Sequence, residues 1–278
     1  MRAIALQEAP APVSRDGSPG ERFAAEVAAG AREVPFGLHL PAAFPLFASR
    51  PRYTVRHLLK TADVADGAVS YVHEPPKGRI EAAGTAYGAT PEAAFAPRLM
   101  KAPLTDLTVE VPIPDGVAAD PALLAAYVDY RVLVRLSVVE NESLLHGTAD
   151  GAITGLLGLP GSRSAESRDD LATTVTRAAG EIEETGGSCD GVVAHPETYW
   201  KMVRDDLLVR FQNAGITVSR TRMMPKDTLL MGDFRAACTL LMPGVASIEL
   251  VPGAVRATSR IGLAVHLPQH LMAVKWHG

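Results

Sequence analysis

One stretch constrains this chain more than any other. Residues 120–147 read as a single long helix, because Asp120 can cap it through its carboxylate and Pro121 suits the first helical position. Leu124, Val128, Val132, Leu136 and Val139 keep one apolar stripe along it, and Gly147 supplies a C-terminal stop. The spacing predicts about 25 residues, or ~37 Å at 1.5 Å per residue. Helices in ordinary domains average about 11 to 12 residues, so this element is a strut along which other structure must be arranged.

A second helix is expected over residues 169–184, with Leu171, Val175, Ala178 and Ile182 on one face and Gly186–Gly187 to end it. An α/β alternation follows. Residues 192–194 read as a buried strand, and His195–Pro196 opens a helix carrying Tyr199, Met202 and Val203. Residues 216–221, 228–231, 236–242, 247–251, 255–266 and 271–276 read as strands. No fixed-period repeat is present, which argues against a solenoid or propeller. The class is α+β.

The first part of the chain reads differently. Residues 7–20 are rich in Pro, Ala, Ser and Gly and read as an arm or linker. Over residues 21–34, Phe23, Val27, Ala31 and Val34 recur near helical spacing, predicting a short amphipathic helix that needs a surface, either in its own subunit or elsewhere. Residues 53–97 hold short β-leaning pieces, such as 68–73, around the polar tip PPKGRIEAAGTAYGATPE. Such a length with little to bury reads as a projecting hairpin that pairs with something else, or as a surface excursion.

Composition excludes several roles. Two cysteines in 278 residues, Cys189 and Cys238, make no C-x-x-C pair and no disulfide framework, as expected of buried thiols in a reducing compartment. The opening MRAIALQEAPAPV lacks the apolar core of an export signal, and no run approaches the roughly 20 apolar residues of a membrane span. A net charge of −4 with mixed signs leaves no electrostatic footprint for a phosphate backbone. Aromatic residues at 5% leave few stacking platforms for bases.

Motifs of chemistry are also missing. No G-x-S-x-G elbow presents a nucleophile, and the glycines 155, 158 and 161 match neither a dinucleotide fingerprint nor a phosphate loop, reading instead as a turn. His266 and His270 have zinc-site spacing, but Pro268 between them interrupts the helix such a site requires. Glu181, Glu183 and Glu184 cluster at a helix end without a second carboxylate at a defined distance. No catalytic, cofactor or metal residue is assigned.

Four segments carry a resemblance. EVPIPDGVAADPALLAAYVDYRVLVRLSVVENESLLHGTADG, DGVVAHPETYWKMVRDD, LLMGDFRAACTLLMPGVASIEL with its Gly232–Asp233–Phe234, and SRIGLAVHLPQHLMAVKW occur in the order seen in the Hong Kong 97-type phage major capsid proteins and the encapsulin shell proteins. The chain resembles that family over nearly its whole length. A Hong Kong 97-type α+β fold is implied, with an N-terminal arm at 1–50, an extended loop at 51–100, a peripheral domain at 101–152 including a spine helix at 121–145, an axial domain at 153–251, and closing strands at 252–278.

By the same resemblance the protein is a self-associating shell subunit and not an enzyme, with no cofactor and no membrane partner. Arg204, Asp205, Asp206, Arg210, Gln212 and Asn213 would lie on a loop lining a pore at a symmetry axis. Tyr53, Lys60, Tyr71, Lys77, Arg79 and Tyr87 would contact a neighbouring subunit through the extended loop. Phe23, Val27 and Val34 would touch cargo or a neighbour. The founding phage welds its shell by Lys–Asn isopeptide bonds; Lys60 or Lys77 could supply the lysine, but the only asparagines are Asn141 and Asn213, so no cross-link is expected. Two shells fit: a divergent encapsulin, cytoplasmic and enclosing protein cargo, and a phage or prophage capsid enclosing DNA. The short N-terminal region without a charged scaffolding helix, and the missing His-Arg-Glu-Leu stretch, bear on that choice. A small α/β enzyme with an unrecognised site is the reading from another class.

Overall fold

The computed structural model describes residues 18–36, 55–65, 67–75, 97–244 and 246–277. The expected extended-loop contacts Tyr53, Lys77, Arg79 and Tyr87, and most of the stretch read as an N-terminal linker, lie outside the described residues.

In chain order the elements are α1 (Pro19–Ala28), β1 (Glu33–Phe36), α2 (Val55–Leu58), β2 (Lys60–Asp63), β3 (Val69–His73), β4 (Arg98–Ala102) and β5 (Leu104–Pro112). The long helical run follows as α3 (Pro121–Tyr127), a π segment (Val128–Val132) and α4 (Leu133–His146). Next come β6 (Arg163–Ser167), α5 (Leu171–Glu183), β7 (Gly191–Ala194), α6 (Pro196–Arg204), α7 (Leu207–Asn213), β8 (Thr217–Arg220), β9 (Thr228–Gly232) and α8 (Phe234–Ala237). The chain closes with β10 (Cys238–Met242), β11 (Ala246–Val251), β12 (Ala254–Val265) and β13 (Leu271–Trp276).

Helix boundaries follow local chemistry. Asp120 accepts from the amides of Ala122 and Leu123, Asp170 from Thr173, and the His195 Nδ1 from Glu197, each satisfying a first-turn donor that the helix itself cannot. Gly147 ends α4 at φ +89°, and a Cβ there would meet the Ile153 carbonyl oxygen at 2.8 Å. Only glycine suits both demands.

Two compact units divide the chain. Among the described residues, the first gathers 18–36, 106–140, 243–244 and 246–260. Here β1 pairs antiparallel with β11, and β11 with β12, while α1 packs on α3. Phe23, Leu124, Val128, Val132 and Leu136 are fully buried. Burying each such side chain contributes about 1.5 to 3 kcal/mol, so the apolar stripe is what keeps the strut in place. An exposed ladder crosses β5 and β12: Asp106 binds Arg260, Thr108 binds Thr258, and Glu110 binds Arg256, which also reaches Glu249.

Among the described residues, the second unit gathers 55–65, 67–75, 97–105, 141–242 and 261–277. Its centre is a five-stranded sheet in the order β6-β13-β9-β7-β8. Leu171, Val175 and Ile182 of α5, Met202 of α6 and Phe211 of α7 pack with Leu229, Met231, Met272 and Val274 on that sheet. The Trp276 indole donates to the Asp169 carbonyl at 2.9 Å, tying the last strand to the turn before α5. In the same unit β10 pairs parallel with β2 and antiparallel with the C-terminal end of β12. The hairpin β3–β4 is a two-stranded sheet of its own.

Three sequence expectations need correction. Val34 lies on β1 rather than on the first helix, because that helix ends at Ala28 and Gly30 turns the chain at φ +97°. The segment expected as a loop at 204–213 is largely the helix α7, its inner side anchored by the buried Leu207 and Phe211. The run 236–242 begins as a helical turn, α8, capped by Asp233 on the Ala236 amide, and becomes strand only at Cys238.

Candidate assembly surfaces

Arg204, Asp205, Asp206, Arg210, Gln212 and Asn213 are all exposed, and they cluster where α6 turns into α7. The turn is tight: Asp206 adopts φ +52°, the only positive φ of a non-glycine residue among those described. Arg204 and Asp205 form a salt bridge at 2.7 Å. That pairing holds the Asp205 carboxyl below the usual carboxylate range and raises the Arg204 guanidinium. At neutral pH this pair therefore carries charges of both signs.

The same helix pair carries an apolar face that sequence periodicity does not single out. Trp200 is 58% exposed and Val209 60% exposed. The Arg220 guanidinium lies 4.3 Å from the Tyr199 ring centroid and 5.3 Å from that of Trp200, and the two rings meet edge to face. Among the described residues large exposed apolar groups also occur on the hairpin, where Leu99 is 76% exposed opposite Val72. Neither Trp200 nor Leu99 was legible as a surface group, because the sequence shows apolar character but not which side is covered.

The expected extended-loop contacts Lys60 and Tyr71 fall on different elements. Lys60 is exposed at the start of β2, while Tyr71 is half-buried on β3 beside Ala102, Leu104 and Leu241. Tyr71 meets His266 edge to face at 5.6 Å, and burial raises its phenol pKa. Asn141 is engaged within the unit: its side-chain oxygen accepts from the Val55 amide at 2.9 Å.

Of the N-terminal contacts, Phe23 and Val34 are buried in the chain's own packing, and Val27 is half-buried. The intrachain alternative accounts for Phe23 and Val34, which offer no surface to a second molecule in this conformation. Close approach makes this possible. Gly20 sits against the Ala125 carbonyl with no room for a Cβ, and its amide donates to the Asp129 carboxylate at 2.8 Å.

Burial pushes the thiols of Cys189 and Cys238 up to about 12, so neither is a nucleophile near neutral pH. No group of three or more His, Cys, Asp or Glu side chains that could hold a metal ion occurs among the described residues. His266 is engaged by Val72 and Thr239, and His270 is buried. No helix among the described residues is long and apolar enough to cross a membrane.

No known family model matches the sequence, and no curated protein sequence matches it. Solved structures do. A virus-like particle from Pyrococcus furiosus superposes with a TM-score of 0.57 at 10% identity, covering 80% of this chain and 92% of that one. The capsid of a native GTA particle gives a TM-score of 0.59 at 13% identity, covering 83% and 98%. A structure from Mycobacterium phage Bobi gives 0.58 at 15% identity, covering 91% and 98%. With its long helical strut, its separate hairpin and its five-stranded unit, this chain has the α+β Hong Kong 97-type capsid fold.

Proposed function

We propose that the chain is a shell subunit whose copies assemble into a closed icosahedral compartment, and that it is a divergent encapsulin enclosing protein cargo. The observation that supports this most is the superposition over four-fifths or more of the chain on particle-forming proteins. Function is carried here by surfaces and not by a reactive centre, in keeping with buried, unreactive thiols. In this reading the five-stranded unit with α5, α6 and α7 is the axial domain, and its α6–α7 corner faces a symmetry axis, where Arg204, Asp205, Asp206, Arg210, Gln212 and Asn213 line a pore. The hairpin is the root of an extended loop that lies on a neighbour. A non-enzymatic role and a cytoplasmic location follow from it.

The cargo is assigned as protein because charge of mixed sign, −4 in all, provides no basic surface for a genome. The second reading, a phage or prophage capsid around DNA, is favoured by the phage structure among the neighbours. Negative-stain electron microscopy of the chain expressed alone tests the shared part. Uniform closed particles are expected; small oligomers only would overturn the shell reading and favour an ordinary enzyme. Absorbance ratio and nuclease sensitivity of purified particles then separate protein cargo from nucleic acid.

A further inference from the structure

The hairpin β3–β4 meets the rest of its unit through a crossed pair of histidines. His73, the last residue of β3, places Nδ1 2.7 Å from the carbonyl oxygen of Val265. His266, the residue after β12, places its own Nδ1 3.0 Å from the carbonyl oxygen of Val72. A carbonyl can only accept, so each Nδ1 bears the proton. For His266 this leaves Nε2 to accept from the Thr239 hydroxyl at 3.0 Å, and that strand neighbour fixes the ring and its tautomer together. The Glu74 amide adds a backbone bond to the His266 carbonyl at 2.7 Å, and Tyr71 packs its ring against the same imidazole.

Everything else about the hairpin suggests that its orientation needs such fastening. An isolated two-stranded ribbon is marginal in water. Beyond its root this one exposes Leu99, Val72 and Met100, with only Val69, Tyr71 and Ala102 reaching a small core. We propose that His73 and His266 form a two-way imidazole–carbonyl clasp that locks the hairpin in one orientation. The device is conformational: with the clasp closed the ribbon leaves the unit in a single direction, and with it open the ribbon swings about residues 68 and 103, which flank it where it joins the unit. It is independent of what the shell encloses and of whether a shell forms.

Limited trypsin digestion of the full chain tests it, with every variant held in the same assembly state by gel filtration. Cleavage after Arg98 and Lys101 on β4 reports the hairpin, and cleavage after Arg177 on α5 reports the five-stranded sheet. H73A and H266A are each expected to speed cleavage at Arg98 and Lys101 by tenfold or more, with Arg177 unchanged. The double variant should be little faster than either single one, because two halves of one clasp do not add. H73N and H266N, whose side-chain amide nitrogen stands near the Nδ1 position, should restore most of the protection. Alanine variants cut at the parental rate would overturn the clasp. So would asparagine variants cut as fast as alanine ones, or equal acceleration at Arg177, since either assigns the histidines to general packing.

Discussion

The amide of Gly20 donates to the Asp129 carboxylate across 109 positions of sequence, at 2.8 Å, and this bond pins the first helix to the long strut where the strut is π-helical. Asp129 is half-buried, and burial raises its pKa despite hydrogen bonds from Ser18 and Gly20 that lower it. D129A should cost about 1 kcal/mol by leaving the Gly20 donor unpaired. G20A should cost more, because its Cβ would collide with backbone rather than with a movable side chain. Urea midpoints of both variants check this, and a G20A midpoint equal to the parent's would refute the close packing of α1.

Asp190 supplies a pH dependence. Burial, aided by the neighbouring Asp233 charge, raises its pKa to about 6, against a bond from the Phe234 amide and the Arg235 charge that lower it. A carboxyl with a raised folded-state pKa binds its proton more readily in the folded chain. Its contribution to stability is therefore fully present below about pH 4 and is lost as pH rises through about 6. D190N keeps an acceptor for Phe234 and removes the charge. It should be more stable than the parent at pH 8 and equal to it near pH 4, as read from denaturation midpoints at the two pH values.

The Asp106–Arg260 pair behaves in the opposite sense. The Arg260 hydrogen bond, at 2.6 Å, holds the Asp106 carboxyl below the usual range. Its stabilisation is present above about pH 4 and is lost as pH falls through the depressed value. Both partners are partly exposed, so D106A should cost only about 0.5 to 1 kcal/mol in low salt. Measured again in 1 M salt, the difference should shrink; a salt-independent loss would mean packing and not charge.

Asp206 holds a left-handed backbone that an L-residue adopts at a cost of about 1 to 2 kcal/mol. D206G should raise the thermal midpoint by a few degrees, and D206V should lower it. In assembled particles, D205N combined with D206N and R210Q should alter entry of small charged solutes without preventing assembly. Unchanged entry would remove these residues from the pore.

The long strut with its cap at Asp120, the helix opened by His195–Pro196 and the stop at Gly147 were all determined by the sequence itself. Each rests on hydrogen bonds or steric limits spanning only a few residues, so neighbouring letters contain the whole interaction. The closing strand at 271–276 was legible for a related reason, since it is an unbroken β-leaning run. Tertiary structure alone decided the parallel pairings of β2 with β10 and of β6 with β13, which join residues more than a hundred positions apart. It also decided that Phe23 faces inward while Trp200 and Leu99 face outward, and that His73 and His266, 193 positions apart, exchange bonds with each other's strands. Those choices depend on which surfaces meet once the chain has collapsed, and a residue's own chemistry is the same on either side of a fold.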